Sequence, residues 1–194
     1  MPNRRDLVTF LCLAALPRTV RAQAAGEEAL WDRLRAGGVA LLMRHAQTEP
    51  GTGDPPGFRL DDCGTQRNLD ARGRTDARAW GTALRQQRVA IAGVYTSAWC
   101  RCRETANLMA VGEALHLPAL DSFFAESGRR GPQTDALTKF IADWQTPGTL
   151  LLVSHQVNVT ALTGLVPRSG EAVLLAANGK DIAVLGRLHP PAAA

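Results

Sequence analysis

A chain of 194 residues, 45% hydrophobic and 21% charged, suits one ordinary domain with a real core; this excludes wholesale disorder and any need for staples to fold. The formal net charge of +4 comes largely from the first 24 residues, where Arg4, Arg5, Arg18 and Arg21 outweigh Asp6. About +1 remains beyond them, too little to argue for a nucleic-acid partner.

The N-terminus reads as an export signal. "MPNRRD" is a short basic start, "LVTFLCLAALP" an apolar stretch, and "AQA" (22–24) a small-x-small cleavage site. Residues 1–24 are therefore expected to be a signal peptide and residues 25–194 the functional domain. Arg4 and Arg5 before "DLVTF" resemble a twin-arginine signal, which implies a bacterial source and a periplasmic or extracellular destination. The apolar stretch is too short for a stable membrane span, and no later segment approaches the roughly 20 apolar residues a membrane helix requires.

Beyond the signal, "EEALWDRLRAG" predicts an amphipathic helix closed by Gly37 and Gly38, and "VALLMRHA" a buried strand. Residues 48–68 are rich in Gly, Pro and Asp and read as a long functional loop. "LDARGRTDARAWGTALRQQ" (69–87) places Leu69, Ala77, Trp80 and Leu84 at helical spacing. "VAIAGVYTS" (89–97) is a second strand, a helix is expected from near Cys100 to about Leu115, and residues 116–132 are irregular. "TDALTKFIADW" is helical and "TLLLVSHQ" a third buried strand; "EAVLLAAN" and "DIAVLGRL" form a hairpin around Asn178-Gly179. That order predicts an α/β fold with a mostly parallel central sheet.

In such folds ligands gather at the carboxyl ends of the strands. That rule brings together Arg44 and His45, Ser97 with Arg101 beyond it, and Ser154 with His155. Clustered cations repel unless an anion sits among them, and the planar fork of arginine matches phosphate oxygens two at a time. Arg101 lies in the first turn of an expected helix, a favourable place for an anion, with Thr105 on the same face. The expected guest is a phosphoryl group. A neutral imidazole can attack phosphorus and the remaining cations stabilise the transferring group, while a carboxylic acid protonates the leaving oxygen. Glu126 in "FFAESGRR" is the candidate acid, with Asp121 behind it.

These residues resemble the histidine phosphatase superfamily, also called phosphoglycerate-mutase-like. "RHAQT" supplies Arg44, His45 and Thr48, "SAWCRCRETA" supplies Ser97, Arg101, Thr105 and Ala106, and "LLLVSHQ" supplies His155. Between them Leu69, Gly73 and Ala77 match the family's second-helix pattern, so the resemblance spans roughly residues 39–165. It implies a single three-layer α/β/α domain and a histidine acid phosphatase-type phosphoric monoester hydrolase. His45 would be phosphorylated, and Arg44, Arg101, His155, Thr48 and Gln156 would surround the phosphate. Ala46 and Gln156 stand where the family usually has glycine, and the family's asparagine a few residues past the nucleophile is missing.

The implied substrate is a phosphomonoester or a phosphohistidine, among the options a small cell-envelope sugar phosphate. Alternatives are an inactive exported phospho-ligand binding protein and a phosphoglycerate-mutase-like phosphotransferase. No cofactor or metal is expected, because the arginines and histidines already supply positive charge. With Cys12 removed, one disulfide joining Cys63 to Cys100 or Cys102 is consistent with an oxidising compartment, and three buried thiols are the alternative. His116 and His189 read as surface or structural residues; Arg67, near Cys63 in the long loop, is open to two readings, a residue that reaches substrate or a solvated loop arginine.

Overall fold

The computed structural model describes residues 18–192. In chain order the elements are α1 (Arg18–Ala36), β1 (Val39–Arg44), α2 (Ala71–Gln86), β2 (Ile91–Thr96), α3 (Cys100–Met109) and β3 (Ala114–His116). They continue with α4 (Arg130–Ala142), β4 (Thr149–Ser154), α5 (Gln156–Thr163), β5 (Ala172–Asn178) and β6 (Asp181–Leu188).

The two histidine-bearing apolar runs become neighbours at the centre of one six-stranded sheet, ordered β3-β2-β4-β1-β5-β6. β3, β2, β4 and β1 are mutually parallel; β5 and β6 form an antiparallel hairpin on the far side of β1. β1 and β4 are apolar along their whole length because both faces are covered. Val39, Leu41 and Met43 face a core with Trp31 and Leu34 of α1, Trp80 and Leu84 of α2, and Met109 of α3. Ala40 and Leu42 face the opposite core with Leu137 and Ile141 of α4 and Val159 of α5. The strand period of two thus divides one run of sequence between two cores, giving three α/β/α layers.

Three elements depart from the sequence expectation. α1 begins at Arg18, so the expected cleavage site at 22–24 falls within it, and residues 1–17 of the expected signal lie outside the described residues. α3 stops at Met109 rather than near Leu115: Ala110 turns left-handed at φ 51° and Gly112 opens the chain into β3, an edge strand too short to announce itself. α5 follows β4 directly. Its sequence "QVNVTALT" is rich in β-branched residues and carries no helix signal of its own, but the exit of β4 sets it, and Gly164 ends it in the left-handed conformation.

The segment 48–68 is ordered by tertiary contacts. A single bridge pairs Thr48 with Leu69, another pairs Arg59 with Asp62, and a short 3₁₀ turn covers Cys63–Thr65. A disulfide joins Cys63 to Cys100 at the start of α3. Beside this segment α2 approaches the chain just past His45 so closely that a Cβ on Gly73 would lie 2.0 Å from the Gln47 carbonyl oxygen. Gly73→Ala is therefore expected to displace that backbone and cost about 1–3 kcal/mol, read as a lower urea midpoint together with weakened activity. Unchanged stability would show that the contact relaxes without consequence.

Candidate active site

His45 is the residue after the last rung of β1. Its own N–H extends the ladder by donating to the Ser154 carbonyl at 2.9 Å, and its carbonyl accepts from Gly170 N–H at 3.0 Å. The Gly170 carbonyl in turn accepts from the indole N–H of fully buried Trp80. On the other side Ala46 N–H donates to Thr105 Oγ1, while the Thr105 hydroxyl donates to the Arg101 carbonyl. The nucleophile candidate and Arg101 are thus held by one threonine.

The buried imidazole of His45 has a fixed tautomer. Nδ1 lies 2.8 Å from the Ala46 carbonyl oxygen, which can only accept, so Nδ1 carries the hydrogen and Nε2 keeps a free lone pair. Burial, then the charge of Arg101, with smaller parts from Arg44 and Arg67, lowers its pKa to about 3, against a hydrogen bond to Ala46 that works the other way. At neutral pH His45 is an unprotonated nitrogen nucleophile. Alanine at position 46 packs without exposure against Leu69 and Ala77, so the departure from glycine is absorbed by the small core under the site.

His155, the residue after the last rung of β4, sets its ring 5.5 Å from that of His45, centroid to centroid. Its Nε2 is 2.8 Å from the Ser97 hydroxyl, and its Nδ1 is 3.5 Å from Nη2 of Arg101. Ser97 is placed by its N–H donating to the Val153 carbonyl. Burial, then the proximity of His45 and of Arg101, holds His155 well below its ordinary pKa. The Trp99 ring packs nearly perpendicular to this one, 5.2 Å away between centroids.

Arg44 reaches the Gln156 side-chain oxygen at 3.0 Å and the Pro167 carbonyl at 3.1 Å. Gln156 is exposed and touches Arg44, so it stands beside the first arginine. Arg67, left open from sequence between a solvated and a substrate-reaching role, belongs to the cluster: burial and the charge of Arg101 lower its pKa, and it in turn depresses Arg44 and His45. Its Nη1 donates to the Gly51 carbonyl. The Nε atoms of Arg44, Arg67 and Arg101 are all buried without a partner. Three unpartnered guanidinium donors in one place are what a pocket shaped for an oxyanion presents.

Asp54, also unforeseen, sits among them. Its Oδ1 accepts from Arg101 Nη1 at 2.6 Å and from Arg67 N–H, and its Oδ2 accepts from the Trp99 indole. Thr48 is buried at the start of the long segment with its backbone bridged to Leu69.

The two acid candidates have other partners. Asp121 is spent on structure: one oxygen accepts from Ala98 N–H at 2.8 Å and the carboxylate meets His116, tying the chain after β3 to the Ser97 corner. Glu126 is exposed at 66% of its side chain and faces Arg129 at 3.6 Å, and no hydrogen bond or ion pair joins it to the histidines. Cys102 is the buried free thiol, 3.5 Å from His155 Nε2; burial pushes it up to about 12, so it stays protonated. Among the described residues no group of three His, Cys, Asp or Glu side chains could hold a metal ion, and no helix is long and apolar enough to cross a membrane.

Two neutral buried imidazoles leave a signature in stability. An unfolded His45 takes up a proton near pH 6.5, the folded one only near about 3. Between those values the unfolded chain binds more protons, so stability falls as pH drops, by about 1.4 kcal/mol per pH unit from His45 alone. His155 adds to the loss in the same direction. The urea midpoint is expected to fall steeply between about pH 6.5 and about pH 5, and less steeply in His45→Ala. A flat profile would mean that the imidazoles are not held neutral.

Comparison with solved structures gives the same architecture. The structure of the protein histidine phosphatase SixA complexed with tungstate matches with a TM-score of 0.55 at 19% identity, covering 78% of this chain and 97% of that one. Phosphoserine phosphatase from Entamoeba histolytica in complex with 3-phosphoglyceric acid matches with a TM-score of 0.55 at 12% identity, covering 77% and 95%. A mutant of that enzyme in complex with phosphoserine matches at 0.53, again at 12% identity, covering 77% and 95%. At these identities the likeness shows the shared fold. No curated protein sequence matches significantly. The family model of the histidine phosphatase superfamily (branch 1) matches residues 40–123, the part of the chain that runs from β1 through β3 and carries Arg44, His45, Ser97 and Arg101. By that match residues 40–123 are similar to the histidine phosphatase superfamily, and the fold of the chain is the one the solved structures share.

Proposed function

We propose that the protein is an exported phosphatase that hydrolyses small phosphomonoesters through a phosphohistidine on His45. The observation that carries this reading is the free Nε2 of His45 in a cluster with Arg44, Arg67 and Arg101, whose charges depress the imidazole and whose guanidiniums each keep a buried, unpartnered donor. Three arginines against Asp54 leave two positive charges in excess, the charge that a phosphate dianion neutralises.

In this reading Nε2 attacks phosphorus while the bond to the leaving oxygen breaks. The arginines hold the equatorial oxygens. The arriving dianion raises the pKa of His155, which then donates to the phosphoryl group while Ser97 accepts from its other nitrogen. Water next attacks phosphorus, the P–N bond breaks, and phosphate leaves with His45 restored. The relatives named for phosphohistidine and phosphoserine hydrolysis support the reaction class.

The substrate follows from what surrounds the pocket. Asp121 is committed elsewhere and Glu126 faces Arg129, so leaving groups that depart with little help from an acid are favoured. The Phe58 ring lies against Trp99, and the exposed Phe124 ring stands beside Gly53; these aromatic surfaces suit an aryl or heteroaryl leaving group. A cell-envelope sugar phosphate, a poorer leaving group, calls for the proton that Glu126 would have to bring. Export is supported by the basic, apolar and A-x-A order of residues 1–24 and by a disulfide suited to an oxidising compartment.

The test is a panel of phosphomonoesters graded by leaving-group basicity, with turnover quenched to trap the enzyme. Expected are fastest hydrolysis of aryl phosphates and an acid-labile, alkali-stable phosphoenzyme that is absent in His45→Ala. Tight phosphate binding without turnover would favour a binding protein instead, and phosphate transfer between phosphoglycerates a mutase.

A further inference from the structure

We infer that Asp54 is the positioning residue of this phosphate site: its carboxylate grips one corner of the Arg101 guanidinium and leaves the opposite edge to face the phosphoryl group. The inference rests on the phosphatase reading and adds to it a residue from the aperiodic loop.

A guanidinium offers five hydrogens in one plane. Asp54 occupies Nη1 at 2.6 Å, in an ion pair whose side chains are only 5% and 6% exposed. Arg101 Nη2 points at His155 Nδ1 from 3.5 Å, too long for a strong bond, and Nε is buried with no partner. Nε–H and one Nη2–H lie along a single edge and are parallel, the geometry that takes two oxygens of a phosphoryl group at once. A carboxylate at Nη1 is therefore placed where it fixes the plane of the guanidinium without covering that edge.

The same carboxylate fixes two further parts of the pocket. Its Oδ2 accepts from the indole of Trp99, whose ring packs against His155, and its Oδ1 accepts from the backbone N–H of Arg67, the loop's own arginine. Without it, Arg101 would be one of three long cations repelling one another, with freely rotating bonds to swing toward solvent. Burial works against the negative charge of Asp54, but the hydrogen bond and charge of Arg101 outweigh it and keep the carboxylate ionised. A negative charge inside a phosphate pocket repels the guest; its use must lie in aim rather than attraction.

The test uses the full chain with Asp54→Asn, Arg101→Ala and the double variant, measuring kcat and KM on an aryl phosphate, inhibition by inorganic phosphate, and thermal unfolding. If Asp54 acts through Arg101, Asp54→Asn lowers kcat/KM by about 10–100-fold, mostly in kcat, and makes no further difference once Arg101 is alanine. Losses that add in the double variant overturn the proposal. So does tighter inhibition by phosphate in Asp54→Asn, which would make Asp54 a competitor for the arginine. Asp54→Glu, which keeps the charge and moves it by one methylene, covers the case in which the asparagine variant does not fold. It must lower kcat/KM with Arg101 present, and a loss in the Arg101→Ala background counts against the role. A wild-type protein that neither hydrolyses aryl phosphates nor binds phosphate removes the phosphatase reading and this inference together; an active wild type with additive losses removes only the role of Asp54.

Discussion

His45→Ala is expected to hydrolyse an aryl phosphate on the order of 10⁴–10⁶-fold more slowly than wild type, as removal of a covalent nucleophile does elsewhere. The effect should be large because no neighbour can take over. His155 has one nitrogen on Ser97 and the other toward Arg101, and the Cys102 thiol is held protonated by burial. Phosphate binding should survive, since Arg44, Arg67 and Arg101 remain, so the variant separates chemistry from recognition. It should also be less sensitive to acid, because one buried imidazole that must protonate on unfolding is gone. A His45→Ala protein that turns over within tenfold of wild type would place the nucleophile elsewhere and end the phosphohistidine reading.

The disulfide is the second large effect. Cys63 and Cys100 are 37 residues apart in sequence, and closing a loop of that length restricts the unfolded chain by about 4 kcal/mol. For a domain of this size, that corresponds to a fall in Tm of roughly 10 °C when both are replaced by serine. Activity should fall as well, because the bridge ties the segment carrying Asp54 and Arg67 to the first turn of the helix carrying Arg101. The Gln66 side chain reinforces the tie by accepting from Cys100 N–H at 3.0 Å. Cys102 is no substitute partner: exchange requires a thiolate, and its sulfur is buried against Ser154 and His155. A double serine variant with unchanged Tm and activity would show that the loop holds itself in place.

What could be read from sequence was what regular structure dictates. The unbroken apolar runs before Arg44 and His155 identify buried parallel strands, and the rule that ligands sit at strand ends joins them to Ser97 and Arg101. Arg67 and Asp54 obey no such rule, since their segment has no period and its path is set by a bridge, a turn and one disulfide. One signal was available: pairing Cys63 with Cys100, immediately before Arg101, would have carried the loop's charges to the site. With Cys100 and Cys102 both open as partners, that step was not forced. Glu126 is the opposite case, a candidate acid on an irregular loop whose carboxylate pairs with Arg129.

The register of the two central strands has a consequence for how such a site persists. Arg44 lies beside Ser154, and each histidine is the next residue on its strand, so their separation is inherited from the lateral spacing of a sheet, about 4.8 Å. Main-chain hydrogen bonding sets that spacing, and every amino acid but proline supplies it equally. The two imidazoles therefore stay side by side whatever the surrounding side chains are, as long as the ladder does not slip by a rung.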